Sequence, residues 1–148
     1  MDAITLLKND HRHVEKIFSQ IEKGDGNRAQ LFKELMTELT VHADIEEQIF
    51  YPAVKNATQT HDLVVESFEE HKQVKMVLAD SARADKNTEE WLAGLKVLME
   101  DVQHHVGEEE KGLFPEVEKT VLSEKELKDL GKRMEEMKER ELAAAQMR

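Results

Sequence analysis

The stretch His42-Ala43-Asp44-Ile45-Glu46-Glu47-Gln48-Ile49-Phe50-Tyr51-Pro52 has a second copy at His105-Val106-Gly107-Glu108-Glu109-Glu110-Lys111-Gly112-Leu113-Phe114-Pro115. In each copy a His is followed four residues later by a Glu and ten residues later by a Pro. Another Glu follows the first, and an apolar pair containing Phe precedes the Pro. Residues four apart on an α-helix lie on one face, so each copy aims an imidazole and a carboxylate the same way. Two such faces turned together supply two nitrogens and two carboxylates to one spot. A buried carboxylate without a partner is strongly destabilising, which points to a cation between the faces. The oxygen-rich, sulfur-free donor set suits iron or manganese better than copper.

Apolar periodicity extends the pattern to the rest of the chain. The first predicted helix, about Asp2 to Lys23, carries Ile4, Leu7, Val14, Phe18 and Ile21 on one stripe, with His11 filling its gap. His13 falls off that stripe, and Gly24-Asp25-Gly26 ends the helix. The second, about Arg28 to Tyr51, has the stripe Leu35, Leu39, His42, Glu46, Ile49, and Pro52 is expected to stop or kink it. The third, about Asp62 to Ala84, begins at a Thr60 cap and carries Val64, Ser67, His71, Val74 and Leu78, with His61 exposed near its start. The fourth opens on a capping-box-like Asn87…Glu90 pair and carries Trp91, Leu95, Leu98, Val102, His105 and Glu109. His104, with Glu108 four residues on, competes for the ligand role, but the stripe and the distance to Pro115 select His105. Gly107 and Gly112 weaken this helix and suggest close approach by a backbone or small ligand. Ser123…Glu126 reads as the capping box of a last helix with the thin stripe Leu127, Leu130, Met134, Met137.

Four amphipathic helices on short connections describe an all-α, up-down-up-down four-helix bundle, with an additional C-terminal helix. Residues 1–121 form the expected bundle, and residues 122–148 the C-terminal amphipathic helix or tail. Counted along alternating helices, His11, His42, His71 and His105 fall in one layer toward one end of the bundle. A single histidine on an apolar stripe is usually a core residue with a hydrogen-bond partner. Four in one layer, with two inward glutamates, are better explained by a metal.

Charge and composition exclude other classes. With 21 Lys+Arg against 32 Asp+Glu the net charge is −11, and no basic cluster reverses it locally, so neither nucleic acid nor an anionic membrane is an expected partner. The absence of Cys removes disulfides, iron–sulfur clusters and thiolate chemistry, and fits a cytoplasmic location. The N-terminus has no signal-peptide character, and no apolar run approaches the ~20 residues that span a bilayer. The Glu-x-x-His spacing of ferritin-like proteins is missing, since Leu39, Phe68 and Val102 stand three before the relevant histidines. No His-Glu-x-x-His zinc motif or serine elbow occurs.

The series His, His-x-x-x-Glu, His, His-x-x-x-Glu, with Pro closing the second and fourth helices, resembles the hemerythrin-like (HHE cation-binding) family over about residues 1–120. The resemblance implies a non-haem di-iron centre, with both carboxylates bridging the irons alongside an oxo or hydroxo bridge. It assigns His11, His42, Glu46, His71, His105 and Glu109 as ligands. This chain departs from oxygen-carrying hemerythrins in having Ser67, not His, four residues before His71. It also carries Glu109 four after His105 where those proteins have an Asp five after. Water, another protein oxygen or an exogenous ligand is expected in the missing histidine's place, with water or hydroxide foremost. The expected function is binding or sensing dioxygen, peroxide or nitric oxide, or holding iron, in a monomer or weak homodimer. The alternatives are an enzyme that decomposes hydrogen peroxide or reduces nitric oxide at the same site, and a structural bundle whose last helix recruits a partner. The family's iron–sulfur repair proteins carry a Cys-containing N-terminal segment absent from this sequence, which makes that role less expected.

Overall fold

The structure is a computed structural model describing residues 1–147; Arg148, the end of the expected C-terminal segment, lies outside them. Five helices follow one another: α1 Ala3–Lys23, α2 over residues 28–54, α3 His61–Arg83, α4 over residues 89–121, and α5 Glu124–Gln146. The first four form the up-down-up-down bundle, with α1 beside α2 and α3 beside α4, while α5 lies along α1 and α2. None of the described helices is long and apolar enough to cross a membrane.

The caps follow from local chemistry. Asp2 accepts from Thr5 N–H to start α1, and Gly24, at φ 73°, closes it in the left-handed conformation that glycine adopts without strain. At α5 both halves of the Ser123–Glu126 capping box form. Two expectations are corrected. The side-chain cap of α4 is Thr88, whose hydroxyl accepts from Trp91 N–H, not Asn87. Thr60 precedes α3 but caps nothing with its side chain; its hydroxyl donates back to the Val54 carbonyl.

A larger correction concerns the prolines. Neither ends its helix. α2 is α-helical over Arg28–Ile45, widens to a π-helical turn at Glu46–Phe50, then closes with an α turn at Tyr51–Val54. α4 repeats this with Glu89–Glu108, a π turn at Glu109–Leu113 and an α turn at Phe114–Glu116, then a second π turn at Val117–Val121. Proline lacks an N–H and its ring crowds the carbonyl four residues back. The wider turn before each proline takes up both defects, with Tyr51 N–H bonding Glu46 O and Phe114 N–H bonding Glu109 O. In both helices the π turn opens on the inward glutamate. Such turns recur at functional sites because they shift the side chains that follow them.

The stripe residues pack into two apolar clusters. Ile4, Leu7, Ile45, Phe50, Val54, Phe114, Val117, Met134 and Met137 belong to one, which α5 completes. Val14, Phe18, Leu35, Leu39, Leu78, Trp91, Leu95 and Leu98 belong to the other. Between them lies a buried polar layer. Gly107 and Gly112 have no described protein atom within 4 Å of where a Cβ would stand, so the close backbone approach expected there does not occur. It occurs instead at Gly131 of α5, where a Cβ would lie 2.1 Å from the Met1 carbonyl oxygen.

Candidate metal centre

The polar layer contains His11, His42, Glu46, His71, His105 and Glu109, all buried. His11, His42, Glu46 and Glu109 offer donor atoms mutually within 4.8 Å, and so do Glu46, His71 and His105. Glu46 is common to both groups. Its Oε1 stands 3.2 Å from His42 Nε2, 3.1 Å from His71 Nε2 and 3.8 Å from His105 Nε2. Glu109 Oε1 likewise spans the layer, 3.1 Å from His11 Nε2 and 3.5 Å from His105 Nε2. His71 and His105 bring their Nε2 atoms to 3.2 Å of each other. His104, by contrast, has a 65% exposed side chain and lies among Glu66, Glu70 and Glu108 at the surface. His13 and His61 are also exposed, as expected.

Each inward imidazole is held from behind by a carboxylate on another helix. Asp10 of α1 holds His42 Nδ1 at 2.9 Å, and Glu47 of α2 holds His71 Nδ1 at 2.8 Å. Glu70 of α3 holds His105 Nδ1 at 2.7 Å, and Glu110 of α4 holds His11 Nδ1 at 2.6 Å. The four contacts form a closed ring, each helix supporting the histidine of the next. The sequence encodes it simply. In α1 and α3 the acid immediately precedes the histidine; in α2 and α4, which run the other way, it immediately follows the inward glutamate. Reversing a helix reverses the sense of a one-residue step, so all four acids are offset in the same rotational direction around the bundle.

The ring also fixes the tautomers. A neutral imidazole donating Nδ1–H to a carboxylate keeps its Nε2 lone pair free, and here every Nε2 points inward. Each outer carboxylate has a cation or further histidine in turn. Arg12 reaches Glu110 at 2.5 Å, Lys75 reaches Glu47 at 2.8 Å, His104 approaches Glu70 at 3.4 Å, and Lys138 of α5 binds Asp10.

The site contains an oxygen that stripe reasoning did not include. The Tyr51 hydroxyl donates to Glu109 Oε2 at 2.7 Å and lies 3.3 and 3.2 Å from the Nε2 atoms of His71 and His105. Five residues after Glu46, an unbroken α-helix would turn Tyr51 about 140° away from it. The π turn brings it back. Ser67 donates its hydroxyl to the Leu63 carbonyl, and Tyr51 is the protein oxygen beside His71. The available signal was a difference between the two sequence copies, since Tyr51 corresponds to Phe114. Phe114 stacks on His11, with ring centroids 6.0 Å apart, as Tyr51 packs on His71 at 5.4 Å, but without a hydroxyl.

The donor chemistry fits a pair of metal ions. Two donors each about 2.1 Å from one ion and at right angles stand about 3.0 Å apart, close to the inward spacings here. Among the described residues His42 Nε2 and Glu46 Oε2 are buried with no hydrogen-bond partner, although His42 Nε2 stands 3.2 Å from Glu46 Oε1. Without a metal, protons supply the positive charge. Burial alone would lower the His42 pKa, but the Glu46 charge and the Asp10 hydrogen bond carry it from 6.5 to about 10. His105 is likewise held well above 6.5, its burial outweighed first by the charge of Glu109. Burial would raise Glu46 and Asp10, yet both are lowered, Glu46 chiefly by the His42 charge and Asp10 chiefly by its hydrogen bond with His42. Burial, then the charges of Glu109 and Glu46, hold the Tyr51 phenol well above 10, so its proton stays on.

These shifts give a pH profile for the metal-free protein. The raised His42 contributes stability fully below 6.5 and loses it as pH rises through about 10. The lowered Glu46 contributes fully above 4.5 and loses its contribution on acidification, and Asp10 does so from 3.8 downward. Melting followed by circular dichroism should therefore peak between pH 4.5 and 6.5. A melting temperature constant from there to pH 11 would contradict a protonated His42.

Known proteins resemble this chain in sequence and fold. A DNA nickase of Nostoc sp. is 25% identical over 126 residues, 84% of this chain, and the chain spans 36% of that protein's length. An uncharacterized protein of Mycobacterium tuberculosis is 28% identical over 141 residues, 90% of this chain and 83% of the relative. The crystal structure of a hemerythrin HHE cation binding domain-containing protein from Mycobacterium kansasii matches with a TM-score of 0.84 at 26% identity, covering 97% of this chain and 89% of that one. The Hemerythrin HHE cation binding domain model matches residues 2–117, and the chain belongs to that family.

Proposed function

We propose that this protein is a non-haem di-iron protein that binds or senses a small uncharged molecule, dioxygen or a relative such as peroxide or nitric oxide, in the cytoplasm. His11, His42, Glu46 and Glu109 serve one iron; His71, His105 and the same two glutamates serve the other, with Tyr51 as a further oxygen. The observation that carries this reading is the closed ring of carboxylates behind four inward Nε2 atoms. A core histidine needs one partner, whereas a ligand histidine needs its second nitrogen oriented and its first left bare.

Ligand size follows from the cavity beside the four histidines. It measures about 50 Å³ and is walled by Val14, Leu39, Val74, Leu78, Val102 and Val106 among others. About 10–15 Å³ of such space already holds one water molecule, so the cavity admits a molecule the size of dioxygen, nitric oxide or peroxide. Apolar walls disfavour ions.

When bound, iron supplies redox and Lewis-acid chemistry. The chain's own groups do the rest: the outer carboxylates hold the imidazoles in the ligating tautomer, Glu46 and Glu109 offset cationic charge, and the apolar walls limit water. A second reading, peroxide decomposition or nitric oxide reduction, has one observation in its favour: the Tyr51 O–H is a proton donor inside the site. Iron analysis of protein from iron-supplemented cells tests the centre. Spectra of the reduced protein in oxygenated buffer then separate the readings. A change reversed under vacuum identifies binding, whereas irreversible oxidation with rapid consumption of added peroxide identifies an enzyme.

Tyr51→Phe keeps the ring's shape and removes one oxygen from the His71/His105 side alone. We expect about a tenfold weaker affinity for one of the two irons and a changed visible spectrum of the iron-loaded protein. Unchanged affinity and spectrum would remove Tyr51 from the donor set.

A further inference from the structure

We propose that Lys138, on α5, is a positioning residue for one half of the metal centre, acting through Asp10 on His42. The inference rests on the reading of the layer as a metal site and concerns a helix outside the matched residues 2–117.

Asp10 is 4% exposed, and its two oxygens have different partners: Oδ2 faces His42 Nδ1 and Oδ1 accepts from Lys138. With one oxygen tied on each side, the carboxylate plane is fixed, and with it the His42 ring. The other three outer carboxylates find their cation or histidine within the bundle, at Arg12, Lys75 and His104. Asp10 alone takes its cation from α5.

The placement of Lys138 is set by packing. Gly131 lies so close to the start of α1 that an added Cβ would stand 2.1 Å from Met1 O and 2.8 Å from Ala3 N. Such an approach permits no side chain and fixes α5 against α1 at that level. Lys138 is seven residues beyond Gly131, and Asp10 is seven beyond Ala3. Seven residues are nearly two turns, so the same face returns on both helices and the lysine arrives beside the aspartate. The Met1 amino group, 3.4 Å from Glu135, and the buried Leu130, Met134 and Met137 hold α5 in the same register.

Loss of the lysine charge leaves Asp10 held from one side only, so His42 loses its fixed orientation. The affected donors are His11, His42, Glu46 and Glu109; His71 and His105 keep Glu47 and Glu70 behind them.

The test is an anaerobic titration of metal-free protein with Fe(II) against a chromogenic chelator. Wild type should take up two ions per chain. Lys138→Gln should bind one of them about tenfold more weakly, the low end of the range for partners of ligand histidines. Lys138→Arg should restore affinity to within about twofold. In an Asp10→Asn background, Lys138→Gln should have no further effect, a result that a general packing role would not give. Circular dichroism checks folding, and Lys138→Met, which keeps the aliphatic stem, replaces the Gln variant should that one not fold. Wild-type affinity for both ions in the Lys138 variants, or an equal loss in the Asp10→Asn background, overturns the proposal. Wild-type protein that takes up no Fe(II) overturns the metal reading itself.

Discussion

The Glu46→Ala, Glu109→Ala double variant is expected to bind no iron, against two ions per chain for the wild type. Each carboxylate spans both halves of the layer, so removing both strips every candidate ion of its inner oxygen donors from glutamate. What remains is four imidazoles and the Tyr51 hydroxyl in a buried space, a neutral set that cannot offset two dications. Breaking a buried ion pair by deleting one partner typically costs about 3–5 kcal/mol, so the metal-free variant should also melt lower. The Glu46→Gln, Glu109→Gln pair keeps the side-chain shape while removing the charge, and should lose iron with a smaller loss of stability. Elemental analysis with circular dichroism on both pairs checks this. Iron retained at two per chain in either pair would sink the assignment.

The next largest effect separates adjacent histidines. His105→Gln should lose the iron held on the α3/α4 side and its absorbance, while His104→Gln should leave iron content and spectrum nearly unchanged. His105 is buried, with Nε2 inside the layer and Nδ1 on Glu70, whereas His104 faces solvent. A modest effect of His104→Gln is expected at most, because the ring also touches Glu70 from outside. If His104→Gln removed iron and His105→Gln did not, the register of α4 would be wrong by one residue.

The four stripes were legible because burial imposes a 3.6-residue period on any helix that covers a core. Ile4 through Ile21 in α1 and Trp91 through Glu109 in α4 are buried as their spacing requires. The six layer residues were legible for the same reason, as polar residues at core positions. Tyr51 was not, since α-helical periodicity turns it away and only the π turn before Pro52 returns it. Asp10, Glu47, Glu70 and Glu110 were hidden by their surroundings. Each sits one residue off a stripe, where an acid in a chain of net charge −11 reads as a solvated surface group. Lys138 and Gly131 could not be placed at all from sequence, because their roles depend on which pair of helices α5 covers.

The ring of carboxylates also bears on when a metal can be captured. Within the α1–α2 pair, Asp10 reaches His42 but is itself clamped only when Lys138 of α5 arrives, and His11 waits for Glu110 from α4. Within the α3–α4 pair, Glu70 orients His105, but His71 waits for Glu47 from α2. A half-folded chain therefore presents at most one oriented histidine per hairpin, too few to retain an ion against water and competing ligands. Capture becomes strong only when the last hairpin docks, so the ion stabilises the finished bundle by mass action and leaves partly folded forms unaided. Metal occupancy is in this sense a checkpoint on assembly, passed by the docked helices together or not at all.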